Sequence, residues 1–313
     1  MFNSYIKIAF RNLWKRQGYS VLNILSLSIG IIGCLLLFKY VSYEKNYDNF
    51  QTDIDRIVRV RLDASQHGKQ AWQSAGSFGA IGAALKREFP EVEDVCRILR
   101  FPSGLLIANE KTGVKAIEAN AYYADPSVVS ILDIRMKQGN PATVLSGLGK
   151  IILSETLAKK YFGNENPVGQ RLISRAQWKV DEYEVAGVFK DYPANSHLVL
   201  DFVVSAATLD KLLANWGEEA VEDSKWRWNF YLTYLQLKPG TDYRKLEQKF
   251  PAFCEQHLNQ NKWAKENNMK YEMYLLPVKD IHLYSINHKI DKLNYVVINY
   301  KRIESTFRRN WFK

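Results

Sequence analysis

The densest group of polar side chains that could do chemistry lies in one short stretch. It contains Asp191, Asn195, Ser196, His197 and Asp201. Carboxylate, imidazole and hydroxyl groups at such close spacing are compatible with a metal site or a hydrolase site. The pattern Asp-x-Pro-x-Asn-Ser is also ordinary turn chemistry, because Asn and Ser bond their own backbone and proline presets φ. We favour the turn, with His197 beginning a strand after it.

Other signatures of catalysis are missing from the sequence. It holds no Walker A motif, no Gly-x-Gly-x-x-Gly, no Gly-x-Ser-x-Gly and no His-Glu-x-x-His. Three cysteines exclude a disulfide scaffold and lack the paired spacing of a zinc finger. Cys96 and Cys254 could pair outside the cytoplasm, and two buried free thiols are an equal alternative. The sequence therefore predicts a protein that is not an enzyme, with no catalytic residues, metal ligands or cofactor.

The positive charge of the chain is concentrated at its two ends. The net charge is +10, of which residues 1–16 carry +4 and residues 286–313 carry +5. The long middle is almost neutral, whereas a nucleic-acid-binding domain shows a basic face. We therefore expect no nucleic-acid partner.

An uncharged run near the N-terminus predicts one transmembrane helix. Residues 17–38 contain no charged side chain, and as a helix they would be about 33 Å long, enough to cross a hydrocarbon core of about 30 Å. A cleaved signal peptide is the alternative, but its apolar region is shorter and a small-x-small cleavage site follows it. Here no such site follows Phe38.

The segment before this helix sets the predicted orientation. It carries Lys7, Arg11, Lys15 and Arg16 and no acidic residue, which places the N-terminus in the cytoplasm and the part after residue 43 outside it. The same segment is amphipathic, so its bases either contact the anionic membrane surface or serve only as an orienting flank. Both alternatives stay open.

Small and polar residues form one stripe on the predicted membrane helix. Asn23, Ser26, Gly30 and Cys34 recur at helical spacing. Small residues let helices approach closely, and an Asn side chain can hydrogen-bond across the interface. The stripe predicts packing against other membrane helices, although ordinary small-residue content in a membrane helix is the alternative.

The rest of the chain alternates between strand and helix patterns. With the preceding helix, this predicts an α+β fold class: a single N-terminal transmembrane helix followed by a mixed α+β extracytoplasmic domain. The predicted strands are 57–60, 92–108, 114–121, 150–153, 180–189, 230–237 and 271–277, and the predicted helices are 81–89, 126–132, 154–162, 208–216 and 243–257.

Two long motifs carry a family resemblance. Residues 154–169 read SETLAKKYFGNENPVG and residues 187–198 read GVFKDYPANSHL. Supporting landmarks are Arg11-Asn12-Leu13, Tyr47-Asp48-Asn49-Phe50 and Asp280-Ile281-His282-Leu283. With these motifs, residues 1–285 resemble the MacB/FtsX-type ABC transporter permeases. The residues that carry the signature are Ser154, Glu155, Phe162, Gly163, Asn166, Pro167, Gly169, Gly187, Asp191, Pro193, Asn195, Ser196 and His197.

The resemblance implies a non-catalytic permease subunit with a MacB-like periplasmic core domain. Its implied partners are a cytoplasmic ABC ATPase subunit, the lipid membrane, and permease membrane helices in trans or a permease dimer. In that family, ATPase motion is passed through the membrane so that an envelope substrate is exported or released. The implied location is the inner, or plasma, membrane, with one crossing by this chain.

The predicted organisation has four parts. Residues 1–16 form the basic amphipathic segment, 17–43 the membrane helix, 44–285 the periplasmic core domain and 286–313 a basic tail. Family members continue into at least three more membrane helices at the point where this tail stands, so we expect the tail to be atypical or frame-shifted. An anchored binding or sensor module and a non-functional truncated permease therefore remain as alternative functions.

Overall fold

The computed structural model describes residues 11, 14, 15, 17–101, 104–176 and 179–284. The chain divides into two compact units at the bond between Tyr47 and Asp48. The predictions for Lys7, Arg16 and the 286–313 tail lie outside the described residues.

The first unit contains the predicted apolar helix. Helix α1 (Gln17–Lys45) is long and apolar enough to cross a membrane, and none of its residues is buried within the chain. At 1.5 Å per residue it is about 44 Å long. The helix ends at Lys45, and residues 46–50 form turns.

The second unit mixes strands and helices, as predicted. Its strands are β1 (Ile57–Gln66), β2 (Lys69–Ser74), β3 (Val92–Arg100), β4 (Leu105–Ala108), β5 (Lys115–Glu118), β6 (Ala121–Ala124), β7 (Met136–Gln138), β8 (Lys150–Ser154), β9 (Arg171–Ala176), β10 (Lys179–Phe189), β11 (Phe202–Ser205), β12 (Leu232–Leu237) and β13 (Met269–Pro277). Its helices are α2 (Ile81–Glu88), α3 (Val128–Ile131), α4 (Glu155–Phe162), α5 (Ala206–Asn215), α6 (Glu218–Trp226), α7 (Tyr243–Glu247), α8 (Phe250–Cys254), α9 (Lys262–Glu266) and α10 (Val278–Tyr284).

The described strands join into one mixed sheet. The order is β13-β1-β12-β3-β6-β11-β8-β10-β9-β4-β5, with β2 paired to β1 and β7 paired to β10. The pairs β8–β10 and β6–β11 are parallel, and the other pairs are antiparallel. Helix α4 follows β8, so the parallel β8–β10 pair sets the position of this helix against the sheet.

Three groups of buried apolar side chains hold the sheet and helices together. One includes Val58, Leu85 and Phe250, so it lies between β1 and helices α2 and α8. A second includes Tyr161 and Phe202 from α4 and β11. The third collects side chains around α3 and β3, such as Val128 and Ile98.

Several elements escaped prediction because their side chains are mainly polar. Strand β2 has the sequence KQAWQS with mostly exposed side chains, and β1 supplies its pairing partner. Helix α6 begins with two Glu residues and shows little apolar periodicity. The expectation that His197 begins a strand is wrong: residues 190–201 are irregular, and β11 begins at Phe202.

Candidate functional site

The first signature motif builds a capped helix after strand β8. The Ser154 hydroxyl accepts a hydrogen bond from Leu157 N at 3.3 Å, as an N-cap side chain does. Glu155 occupies the first turn, where a carboxylate suits the helix dipole, and it pairs with Lys137. Phe162 is buried in the core at the other end of the helix.

Tight turns follow this helix. Gly163 ends it with a φ of 61°, and Gly169 has a φ of 85°, a region that side chains other than Gly rarely adopt. The Asn166 side chain accepts from Val168 N at 3.2 Å across Pro167. Gly169 N then donates to Val185 O at 2.8 Å, which returns the chain to strand β10.

The second signature motif lies against the first. Gly187 in β10 is in parallel register with Ile152 in β8, and a Cβ at Gly187 would lie 2.6 Å from Met136 Cε. Asp191 then caps α4 from outside: it accepts from Thr156 N at 3.0 Å and from Thr156 Oγ1 at 2.7 Å. Burial opposes ionisation of Asp191, but the hydrogen bonds from Thr156 outweigh it and lower its pKa.

A buried carboxylate fixes the outer side of helix α4. Glu118 pairs with Lys160 Nζ at 2.7 Å and accepts from the Tyr161 hydroxyl. Burial and this carboxylate raise the pKa of Tyr161 far above its usual value, so the phenol stays protonated. Asn109 Nδ2 donates to Tyr161 O at 2.9 Å, which ties the end of the helix to the β4–β5 turn.

The last residues of the second signature motif bind Asp48, which is the first residue of the second compact unit. Asp48 is fully buried, and its Oδ1 accepts from Ser196 Oγ at 2.7 Å and from His197 N at 3.1 Å. Asp48 N donates to Asn195 O at 2.8 Å. Asp48 adopts a φ of 59°, which Asp tolerates better than most residues. Residues 195–197 and Asp48 thus form one buried polar junction, which we call the entry junction.

His197 extends the entry junction into the sheet. Its Nε2 lies 2.8 Å from the hydroxyl of Tyr234, a fully buried residue of β12. Its Nδ1 lies 2.8 Å from Asp48 Oδ1, but the angle falls outside hydrogen-bonding geometry, so the bond to Asp48 is made by the backbone N–H of His197. Asp48 is therefore connected through His197 to strand β12 of the sheet.

Aromatic packing supports the same junction. Phe50 meets Tyr192 edge to face, with ring centroids 5.1 Å apart, and Tyr192 donates to Leu132 O at 2.8 Å. Burial raises the pKa of Tyr192 well above its ordinary value, which keeps this donor protonated. Pro193 follows in the half-buried irregular segment. The segment after α1 is thus anchored by both aromatic and polar contacts.

The polar side chains between residues 191 and 201 do not converge on one point. Asp191 binds Thr156, Asp201 accepts from Asn120 Nδ2 at 2.8 Å, and Ser196 and His197 bind Asp48. Among residues 17–101, 104–176 and 179–284, no three His, Cys, Asp or Glu side chains are grouped as metal ligands would be. The stretch holds three parts of the domain together.

The residues predicted to lie in or beside the membrane are exposed where the structure describes them. Asn23, Ser26, Gly30 and Cys34 are exposed on helix α1, as are Arg11 and Lys15 before it. A Cβ at Gly30 would meet nothing within 4 Å. Packing of this stripe and membrane contact of the bases stay predictions.

Cys96 and Cys254 are buried free thiols in this structure. They belong to different core groups, Cys96 near α3 and Cys254 near α2 and α8. Burial raises the pKa of Cys254 to about 12 and that of Cys96 well above its usual value. Both thiols are therefore unreactive in the folded chain.

Sequence reasoning missed two members of the entry junction. Asp48 appeared only as a landmark, and Tyr234 was one residue in a predicted strand. The available signal for Asp48 is its place just after a long apolar helix. Asp48 and Ser196 lie 148 positions apart in the sequence, so no local pattern identifies them as partners.

Several solved structures are similar to this chain. A domain of a protein described as a permease, from Porphyromonas gingivalis, matches with a TM-score of 0.59 and 20% identity, covering 72% of this chain and 91% of that one. The periplasmic region of MacB from Actinobacillus actinomycetemcomitans has a TM-score of 0.46 and 14% identity, covering 74% and 94%. The extracellular domain of the noncanonic ABC-type transporter YknZ from Gram-positive bacteria has a TM-score of 0.44 and 16% identity, covering 69% and 98%.

A family model gives the assignment. The model described as the MacB-like periplasmic core domain matches residues 20–253, about three quarters of the chain. No curated protein matches the chain. Permeases with this domain work with ABC ATPase partners and are not catalytic themselves. The chain therefore belongs to the MacB-like periplasmic core domain family of ABC-type transporter permeases.

Proposed function

We propose that this chain is a permease subunit, or the N-terminal piece of one, that couples the motion of a cytoplasmic ABC ATPase to its extracytoplasmic domain. The domain then exports or releases an envelope substrate. Helix α1 crosses the inner membrane once, with the N-terminus in the cytoplasm. The four bases Lys7, Arg11, Lys15 and Arg16 support this orientation.

The observation that carries the proposal is the entry junction. A displacement of the chain at the end of α1 reaches Asp48 three residues later. Asp48 is fully buried and hydrogen-bonded to residues 195–197, and His197 reaches Tyr234 in the sheet. A flexible linker would absorb such a displacement, whereas a buried polar junction passes it to the domain.

The stripe of Asn23, Ser26, Gly30 and Cys34 supports partner helices in the membrane. Its four residues lie on one face of α1, and none of them is buried by the part of the chain that the structure describes. Permease helices in trans, or a second permease copy, would pack there.

Co-purification tests this function. The tagged full chain is extracted from its native membrane in mild detergent, and the co-eluting proteins are identified by mass spectrometry. We expect an ABC ATPase together with a multi-span protein. A tagged, unrelated single-span protein is the control. Recovery of the chain without these partners, as for the control, would contradict the proposal.

The matched variant is Gly30→Leu with Gly18→Leu as its control. Leu at residue 30 blocks close approach on the stripe, whereas Gly18 lies at the start of α1. A Cβ at either glycine would meet no atom of the described chain within 4 Å, so neither variant disturbs the fold directly. We expect Gly30→Leu to reduce recovery of the partners and Gly18→Leu to leave it unchanged.

A further inference from the structure

Strand β13 lies at one end of the sheet and has one edge that no described strand occupies. Its inner edge pairs with β1 in antiparallel register over its whole length, from Met269 to Pro277. An unpaired outer edge presents a row of backbone N–H and C=O groups, to which another chain can add a strand. Those groups also need partners in the folded domain, because a buried N–H group without one lowers stability.

Side chains from one helical segment, residues 247–259, supply partners for this outer edge. The donors are the backbone N–H groups of Tyr271, Met273 and Leu275, and their acceptors are Asn259 Oδ1, Cys254 Sγ and Glu247 Oε2, in that order. The bonds from Tyr271 and Leu275 are both 2.7 Å long. Alternate residues of a strand direct their N–H groups to the same edge, so the three bonds cover successive donors of the outer edge.

Asn259 binds its strand residue as a neighbouring strand would. Besides accepting from Tyr271 N, the Asn259 side chain donates from Nδ2 to Tyr271 O at 3.5 Å. An Asn amide carries donors and an acceptor side by side, which is the chemistry of a peptide group. An added strand would therefore have to displace Asn259 at this residue.

The helical geometry of this segment places the three acceptors on one side. Glu247 ends α7 and Cys254 ends α8, and the seven residues between them are close to two α-helical turns. A single π-helical turn, Glu255–Asn259, follows. Cys254 and Asn259 are five residues apart, which is one repeat of a π-helix, whereas five residues of an α-helix would turn the side chain about 140° away. The π-helical turn therefore keeps Asn259 facing β13.

The segment itself is held by apolar packing as well as by these three bonds. Its side chains Phe250, Phe253 and Leu258 are buried in the same group as Tyr271 and Leu275. The side chains of residues 247 and 259 are only partly buried, so truncating them leaves this packing in place. We therefore expect variants at these two positions to fold, with N–H groups of the outer edge left unbonded.

We propose that Glu247, Cys254 and Asn259 close the outer edge of β13 to strand addition by a second copy of this chain. Two copies carry the same edge, and identical strands can pair antiparallel about a two-fold axis. With the three side chains in place, such pairing has to break the hydrogen bonds that they make. The proposal does not depend on coupling to an ATPase.

Sedimentation velocity of the full chain in detergent tests the closed edge. The variant is Glu247→Ala with Asn259→Ala. The matched control is Glu266→Ala with Asn215→Ala, which removes the same residue types from exposed sites on α9 and at the end of α5. We expect the edge variant to self-associate at concentrations at least about tenfold lower than the native chain, and the control to match the native chain. Self-association of the edge variant that is unchanged from the native chain would overturn the proposal.

Residue-resolved hydrogen–deuterium exchange tests whether the edge itself has opened. In Glu247→Ala the Leu275 amide should exchange at least about tenfold faster while the Tyr271 amide keeps its native rate, and Asn259→Ala should give the reverse. Glu247→Gln keeps an acceptor oxygen, so the Leu275 amide should stay protected in that variant. Faster exchange of both amides in both single variants would indicate general unfolding and overturn the proposal, as would native exchange rates at both amides.

Discussion

Asp48→Asn is the sharpest perturbation of the entry junction. Asn keeps the shape of the side chain and tolerates the φ of 59° at this position, so the change isolates the carboxylate. In the native chain Oδ1 accepts from Ser196 Oγ and His197 N, and Oδ2 also lies 3.3 Å from His197 N. The variant turns two charge-assisted hydrogen bonds into neutral ones and places an NH2 group near a donor.

The expected loss follows from these two bonds. A hydrogen bond to a charged group contributes about 1.5–3 kcal/mol and a neutral one about 1 kcal/mol, so we expect a loss of about 2 kcal/mol in the free energy of unfolding. For a domain of this size, each kcal/mol corresponds to about 2–4 °C. Asp48→Asn should therefore lower the melting temperature by about 4–8 °C.

The assay is thermal and urea unfolding of the full chain in detergent, followed by tryptophan fluorescence. The matched control is Asp55→Asn, because Asp55 is 78% exposed and its ion pair with Lys279 at 2.6 Å lies on the surface. We expect Asp55→Asn to lower the free energy of unfolding by less than about 1 kcal/mol.

A double-mutant cycle tests whether the lost stability comes from the hydrogen bond between Asp48 and Ser196. Asp48→Asn and Ser196→Ala alter the two ends of one hydrogen bond, so their effects should be non-additive by about 0.5–3 kcal/mol. Additive effects, or an Asp48→Asn variant as stable as the Asp55→Asn control, would refute the reasoning.

Three further predictions concern the signature motifs and the thiols. Asp191→Asn should lower the free energy of unfolding by about 1 kcal/mol at neutral pH, because it weakens the cap of α4. The pKa of Asp191 is lowered in the folded chain, so its carboxylate stabilises the fold above the ordinary pKa near 3.9, and this stabilisation is lost as the pH falls further. The unfolding curves of the native chain and of the variant should therefore converge in acid. Gly187→Ala should lower the free energy of unfolding by about 1–3 kcal/mol because its Cβ would lie 2.7 Å from the backbone oxygen of Gln138, and a variant that unfolds at the native urea concentration would contradict this. Cys96 and Cys254 should resist alkylation until the chain is denatured, as followed by intact mass; rapid labelling of either native thiol would contradict their burial.

Local chemistry made much of the fold predictable. The uncharged run predicted helix α1, and Ser154 with Gly163 predicted both ends of α4. These signals work because caps, helix dipoles and apolar runs act over a few residues. Strands β2 and β9 were missed because their stability depends on pairing with β1 and β10 rather than on their own pattern.

The entry junction shows what local chemistry leaves out. The contact between Asp48 and Ser196 joins the start of the domain to the segment after β10, 148 positions later in the chain. The sequence identified the Asn-Ser-His motif as turn chemistry but gave no reason to pair it with Asp48. Such a contact between distant residues depends on the sheet order, which one sequence does not specify.

Hydrogen–deuterium exchange in the co-purified complex tests the central claim most directly. The complex with the ABC ATPase is compared with and without ATP, and exchange is read at peptides that contain Asp48 and residues 195–198. We predict that ATP changes exchange at both peptides together, and that Asp48→Asn uncouples them while ATP hydrolysis continues. Unchanged exchange at both peptides in a complex that hydrolyses ATP would contradict the claim that motion passes through this junction.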